Sequence, residues 1–338
     1  MKIINITSQT IQLPLKTPFI TALRRVENVE FVRVKLSCSN GFISYGEAPA
    51  TMAITGEDLE IITNSIQSIK DNLISHSPKE ALQILHDNSI GSSTKAALDI
   101  AIISLLAQEK GVSLSMYLGA KQKTPLQTDI TISLNTIEKM LHDTEEAISN
   151  KMNILKVKLG ADIHHAIKIT EEISCRCPEA TILVDANQAW NLQKSLLFVE
   201  AMKNINIELI EQPVKANMLK ELKTITDATN IPILADESAF DLDEVKYIVE
   251  SKSADMINIK LMKCGGLSKA VEILEFARKN DVVCMLGSML EGPISINAAV
   301  SLAFAYSDVI KYIDLDSPLL YKNPSQELEF RFDGCFLS

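Results

Sequence analysis

Charged residues close a series of short apolar runs in the second half of this chain, one about every 25 residues. ILKVKLG carries Lys156 and Lys158, TILVDAN carries Asp185, IELIEQP Glu211, PILADES Asp236 and MINIKLMK Lys260. Each run reads as a strand that ends in a charge. An unpaired charge is too costly to bury, so charges at the same end of many neighbouring strands must share one site, where they pair or bind a metal. That is the organisation of an enzyme.

From Asp129 onward the runs DITISL, ILKVKLG, TILVDAN, IELIEQP, PILADES, MINIKL, VVCMLGS and YIDLDS alternate with longer amphipathic stretches such as EKMLHDTEEAISN and HHAIKITEEIS. This spacing predicts parallel β/α units, an α/β fold closing into a TIM-type (β/α) barrel over residues 121–321. An open doubly wound sheet is the alternative; charges contributed by many strands suit a ring better than a crevice. Residues 1–120 read as a separate α+β domain. KIINITSQTIQLPL and EFVRVKLSCSNGFISYGEAP alternate with period two around a turn at Asn40-Gly41, and helical patterns follow, including TKAALDIAIISLLAQEKG with Gly111 as its C-cap. The tail, 322–338, alternates again in ELEFRFDG and is expected to rejoin that first domain.

With 338 residues, 46% of them hydrophobic, a large core is available. A net charge of -10 argues against a general nucleic-acid surface or attraction to an anionic membrane, so an anionic ligand must be held by local positive charge. No apolar run approaches the ~18 residues of a membrane span, and the N-terminus has no signal-peptide pattern. The six cysteines are scattered, as expected of reduced thiols in a cytoplasmic protein; Cys175 and Cys177 lack a second pair or a suitably spaced His for zinc. The sequence leaves the oligomeric state open, a homo-oligomer included.

Lys156 and Lys158 are two positions apart, so both point into the barrel while Val157 points out. Mutual repulsion and partial burial are expected to lower their pKa toward a neutral amine able to act as a base. A solvated pair on an edge strand is the alternative, disfavoured by the flanking apolar runs and the carboxylates opposite. Asp185, Glu211 and Asp236 end three adjacent strands, and three hard oxygen ligands suit Mg²⁺ better than zinc; capping carboxylates are the bland alternative. Asn187 and Glu237 lie beside them and are expected to orient ligands or lysines. Lys260 ends the sixth strand, opposite the second in an eight-strand ring, so Lys158 and Lys260 are expected to face each other across a substrate. Two bases on two faces of one carbon permit racemisation or epimerisation, with Mg²⁺ expected to stabilise the enolate between the two proton transfers. Lys263, followed by Gly265 and Gly266, reads as a loop residue.

The ordered set of Lys156-x-Lys158, Asp185, Glu211-Gln212-Pro213, Asp236-Glu237 and Lys260 within NIKLMKCGG resembles the enolase superfamily, specifically its muconate-lactonizing subgroup. The resemblance spans nearly the whole chain and implies a Lys base acting with Mg²⁺, a barrel, and an N-terminal capping domain that ends in ALDIAIISLLAQEKGVSLSMYLG. A His base is unsupported, since all five histidines lie away from the strand ends. Asp314 and Asp316 in the eighth strand point inward together and are expected to form a negative pocket some distance from the metal triad, repelling a dicarboxylate and attracting an ammonium. Helix or turn capping is the alternative. This D-x-D resembles the dipeptide epimerases of the subgroup, which implies that it holds the α-ammonium of a small dipeptide. In the loop TPFITALRRVENVE, Arg24 or Arg25 could bind a side-chain carboxylate such as glutamate's. Resemblance to Ala-Glu epimerases favours Arg24 as that contact, with Phe19 packing beside it, and implies that Lys158 serves the L-configured carbon, Lys260 the D, in murein-peptide metabolism. Thr131, Ser133, Ser288 and Met289 are expected to line the pocket. The rival readings are an o-succinylbenzoate synthase or muconate cycloisomerase-type enzyme and, more remotely, a non-catalytic receptor for amino groups.

Overall fold

In the computed structural model, which describes residues 1–122 and 125–338, the chain opens with an antiparallel sheet of three strands, β1 (Ile3–Ile20), β2 (Arg25–Cys38) and β3 (Ile43–Pro49). The β2–β3 turn falls at Asn40-Gly41, where Gly41 takes φ 88° and the Asn40 side chain accepts from the Phe42 N–H. The β1–β2 ladder shifts register between Pro14 and Phe19, a stretch with two prolines that cannot donate to it. Alternate β2 residues Val32, Val34 and Leu36 pack on Ile62, Ile66 and Ile69, three or four apart in the helix Leu59–Leu73. The helix Ser92–Lys110 is buried on nearly every side and ends at Gly111 with φ 66°.

After the short β4 (Leu126–Gln127) come eight parallel strands: β5 (Ile130–Ile132), β6 (Ile154–Lys158), β7 (Thr181–Asp185), β8 (Leu209–Glu211), β9 (Ile233–Ala235), β10 (Met256–Lys260), β11 (Val283–Gly287) and β12 (Ile310–Asp314). They follow chain order, and the Asp129 N–H donates to the Ile313 carbonyl at 3.0 Å, bringing the first strand to the last. The expected barrel is therefore the architecture. Leu183, Leu209, Leu234, Met256, Met285 and Tyr312, one from each of six strands, form a buried apolar floor inside it. Because strand side chains alternate, the residue two positions beyond each floor residue also faces inward: Asp185, Glu211, Asp236, Asn258, Gly287 and Asp314. Outward-facing Val157, Val184, Ile210, Ile257, Ile259 and Leu286 join the main core under the helices.

The first domain docks through buried carboxylates that cap barrel helices. Glu47 of β3 accepts from the N–H groups of Ile294 (2.8 Å) and Ser295 (3.2 Å) at the start of the helix Pro293–Ala305, and Arg33 pairs with it at 2.6 Å. Asp99 accepts from the Ser268 N–H in the first turn of the helix Leu267–Lys279. The tail departs from expectation. Tyr321, Lys322 and Glu327 do touch the first domain, at Leu15, Pro14 and Arg33. ELEFRFDG, however, leads into a hairpin of β13 (Phe332–Asp333) and β14 (Phe336–Leu337), and β14 pairs with β4. The reason is burial: Phe330, Cys335 and Leu337 belong to the barrel's core rather than the first domain's. Among the described residues no helix is long and apolar enough to cross a membrane.

Candidate active site

Above the apolar floor, β6 carries Lys156 and Lys158 inward as its alternation requires. Lys156 is fully buried, its Nζ 2.5 Å from Asp314 Oδ2, 2.7 Å from Glu211 Oε2 and 3.4 Å from Asp185 Oδ2. Burial alone would lower its pKa, but Asp314, Glu211 and Asp185 override burial and hold it well above the usual lysine range. The expected depressed pKa is thus reversed at Lys156, because three carboxylates outweigh one neighbouring lysine. Lys158 Nζ lies 2.6 Å from Asp185 Oδ2. On the opposite strand β10, Lys260 Nζ lies 2.7 Å from Asp236 Oδ2; burial is again opposed, chiefly by Asp236, and its pKa is raised. Lys263 is not a loop residue. It sits buried in the short helix Leu261–Cys264 and donates to Asp236 Oδ1 (2.6 Å) and to the Asn258 carbonyl (2.8 Å).

Asp185, Glu211 and Asp236 end β7, β8 and the segment just beyond β9, three adjacent strands. Asn187 ties the first of these to Glu237, the neighbour of the last: its N–H donates to Asp185 Oδ1 at 2.8 Å and its amide nitrogen reaches Glu237 Oε1 at 3.4 Å. Burial, then repulsion from Asp185, pushes Glu211 up to about 7. Burial, then Asp236, pushes Glu237 up to about 8. Although Lys156 is near Glu211 Oε2, the approach is not aligned for a hydrogen bond, and Asn187 Oδ1 and Glu237 Oε2 are likewise buried acceptors without donors. Hard oxygen donors in excess over their hydrogen-bond partners, on adjacent strand ends, fit a hard divalent cation. Asn187, Gln188 and Gln212 all take positive φ (42°, 66° and 36°), so the backbone after β7 and β8 is held in a conformation that side chains disfavour.

Asp314 and Asp316 face the same cleft, with the Thr131 N–H donating to Asp316 Oδ2 at 2.7 Å. Burial and the adjacent Asp314 push Asp316 up to about 6. The pair is not remote from the other carboxylates, as had been expected: one ammonium, that of Lys156, touches both Asp314 and Glu211. Eight strand ends converge on an interior too narrow to keep two acidic centres apart.

TPFITALRRVENVE is a hairpin tip rather than a loop, with Thr21–Arg24 joining β1 to β2 and leaning on the barrel through the Leu134 N–H to Ile20 carbonyl bond (3.0 Å). Arg24 lines the cleft, half-buried, and burial lowers its pKa; no carboxylate among the described residues pairs with it. Arg25 points elsewhere and pairs with Glu27 on the exposed side at 3.4 Å. Phe19, Thr131, Ser288 and Met289 line the same cleft, which encloses about 570 Å³, part of it open to solvent. Ser133 lines an adjoining cavity with Arg25, and its hydroxyl accepts from the Ile20 N–H at 3.4 Å.

Several residues escaped the reading of the sequence. Asn258 donates to Glu211 Oε1 at 2.8 Å; its position two before Lys260 was the available signal. Gln212, quoted only as part of a motif, accepts from the N–H groups of Asp236 (2.9 Å) and Ser238 (3.1 Å) and so fixes the loop after β9. A Cβ on Gly287 would lie 2.8 Å from Asn258 Oδ1 and 3.0 Å from Lys260 Cε, so this glycine makes room for the lysine. Thr21, Leu23, Ala53 and Ile54 of the first domain complete the cleft wall.

The barrel, the row of carboxylates and the facing lysines define a class, and comparison with known proteins places the chain within it. Residues 3–119 match the mandelate racemase / muconate lactonizing enzyme N-terminal domain, and residues 139–336 match the enolase C-terminal domain-like family. The chain belongs to the mandelate racemase/muconate lactonizing enzyme family of the enolase superfamily. It is 58% identical over 336 residues to the L-amino acid-D/L-Glu epimerase of Sulfurimonas denitrificans, covering 99% of this chain and 98% of that protein. Its fold superposes on the substrate-liganded L-Ala-D/L-Glu epimerase of Bacillus subtilis with a TM-score of 0.96 at 37% identity, covering 100% and 96% of the two chains. A dipeptide epimerase of Enterococcus faecalis, solved with Mg and L-Leu-L-Tyr, superposes with a TM-score of 0.93 at 30% identity, covering 100% and 97%.

Proposed function

We propose that this chain is a Mg²⁺-dependent dipeptide epimerase whose preferred substrates are L-Ala-D/L-Glu and related dipeptides ending in glutamate, working on murein peptides in the cytoplasm. In this reading residues 1–120 cap a catalytic barrel formed by residues 121–321. The observation that carries it is the position of Lys158 and Lys260 on the second and sixth strands of the ring, opening on one cleft with Arg24, Asp314 and Asp316. The 58% identity to an L-amino acid-D/L-Glu epimerase supports the same substrate class.

Asp314 and Asp316 hold the dipeptide's α-ammonium, and Arg24 meets the second residue's side-chain carboxylate at the other end of the cleft. Fixed at both ends, the second residue's α-carbon lies between the lysines. Lys158 takes the α-proton from the L face and Lys260 returns one to the other, with the roles exchanged for the D isomer. Lys156, kept charged by its carboxylates, supplies fixed positive charge rather than acting as a base. Asp185, Glu211 and Asp236 would hold Mg²⁺, which when bound would supply positive charge to offset the negative charge that develops as the α-proton leaves. Asn187, Asn258 and Glu237 orient that row.

The test is proton NMR of the protein with Mg²⁺ and a small L-Ala-L-Xaa library in deuterium oxide, following loss of the second residue's α-proton signal. The expected result is exchange and inversion led by L-Ala-L-Glu. Exchange led by apolar dipeptides would discard the Arg24 contact, and no exchange with any dipeptide, alongside turnover of the o-succinylbenzoate precursor, would refute the epimerase reading.

A further inference from the structure

Asp129 stands just before β5 at the seam of the barrel, its N–H spent on the Ile313 carbonyl. Its side chain is fully buried, and neither carboxyl oxygen has a hydrogen-bond donor. An oxygen of Asp129, one of Asp314 and one of Asp316 all lie within 4.8 Å of one another, so what faces it is more carboxylate. The charged groups that act on it are Asp314 and Asp316 from β12 and the segment beyond it, and Lys156 from β6. Lys156 does not serve it. Its ammonium hydrogen-bonds Asp314, with Glu211 and Asp185 also within 3.4 Å, and gives no donor to either oxygen of Asp129. A dry carboxylate with no donor, beside two others and without a cation of its own, does not stay ionised. What remains is a carboxylic acid, which needs one acceptor, and the Asp314 carboxyl lies within hydrogen-bonding reach.

We propose that Asp129 is a neutral acid whose proton bridges to Asp314, making it the positioning residue of the carboxylates that receive the substrate's ammonium. This rests on the reading of Asp314 and Asp316 given above. The bridge and Lys156 together fix the Asp314 carboxylate from the barrel side, leaving its remaining lone pairs for the cleft. Burial, followed by Asp314, pushes the Asp129 carboxyl well above the usual range, in keeping with the proton assignment.

The experiment compares the Mg²⁺-loaded wild type with Asp129→Asn and Asp129→Val. Infrared difference spectra without substrate should show one protonated-carboxyl C=O band, shifted in deuterium oxide, that Asp129→Asn removes. Since an amide N–H can replace the acid proton, Asp129→Asn should keep KM for L-Ala-L-Glu within about threefold of wild type. Asp129→Val should raise that KM at least tenfold with a smaller change in kcat, and should bind the deamino analogue, propionyl-Glu, as wild type does. No band lost in Asp129→Asn, or a KM raised as much by Asn as by Val, would overturn the proposal. If the Val variant does not fold, the band and the Asn KM decide. A lost band with no dipeptide turnover by the wild type would keep the bridging proton and refute the epimerase reading instead.

Discussion

Replacing Lys260 with Ala separates proton removal from inversion. The substitution deletes the ammonium 2.7 Å from Asp236 Oδ2, but Lys263 stays 2.6 Å from Oδ1, so Asp236 is not left as a lone buried charge. The stability cost should therefore fall below the ~3–5 kcal/mol typical of orphaning one partner of a buried pair, and the variant should fold and bind Mg²⁺. Loss of one acid/base group costs about 10²–10⁴ in rate, so inversion of L-Ala-L-Glu should slow by roughly 1,000-fold, about 4 kcal/mol in the barrier. Lys158 is untouched on the far strand and should still exchange the α-proton of the L isomer with solvent deuterium, without inverting it. Proton NMR reads exchange and polarimetry reads inversion on the same sample. A variant that inverts at the wild-type rate would sink the two-lysine scheme; one that loses L-face exchange as completely as inversion would show that the lysines do not act on separate faces.

Three further outcomes follow from the same geometry. Gly287→Ala should press on Lys260 Cε and Asn258 Oδ1, costing about 1–3 kcal/mol of stability and lowering exchange of the D isomer more than that of the L isomer, measured by thermal melts and isotope exchange. Arg24→Met should raise KM for L-Ala-L-Glu about 10–100-fold, from a lost charged hydrogen bond of ~1.5–3 kcal/mol, and leave L-Ala-L-Leu unchanged. Arg25→Met should alter neither, because Arg25 turns to Glu27. Asp316, pushed up to about 6 by burial and Asp314, attracts an ammonium only when ionised, so kcat/KM should fall as pH drops through about 6. Asp316→Asn should lower kcat/KM and flatten that limb; an unchanged limb would assign it to another group.

Legibility in the sequence tracked how locally each feature is encoded. The eight strands could be read because each is a short apolar run, six of them closed by a charge, and period-two alternation alone puts Lys156, Lys158, Asp185, Glu211 and Lys260 on the inner face. The pKa of Lys156 could not be read, because its sign depends on Asp314, which reaches it from 158 residues away. The hairpin tip reads as a loop because prolines and polar residues interrupt its alternation, whereas pairing with β2 resumes beyond the register shift. The tail's partner was hidden for another reason. ELEFRFDG has strand character, but whether it adds to the first sheet or to β4 depends on where Phe330 and Leu337 are buried, and no local pattern encodes that.

The proposed function divides chemistry and recognition between the two halves of the chain, and the docking contacts are what would keep them in register. Lys158 and Lys260, proposed to move the proton, sit on strand ends of the barrel, while Arg24, Phe19 and Thr21 of the same cleft come from the first domain. That domain caps the helices Leu267–Lys279 and Pro293–Ala305, which follow β10 and β11, through Asp99 and Glu47. These are the strands that supply Lys260 and, just beyond Gly287, Ser288 and Met289. The recognition wall is thus referenced to the same β/α units that hold one of the two lysines, through buried charged caps rather than through the cleft itself. The Ile20–Leu134 bond ties the hairpin tip to the segment just after the first barrel strand on the other side. On the proposed function, substitutions confined to Thr21–Arg24 should therefore change which dipeptides are turned over while leaving Lys158 and Lys260 in place, which isotope exchange across a dipeptide library would measure.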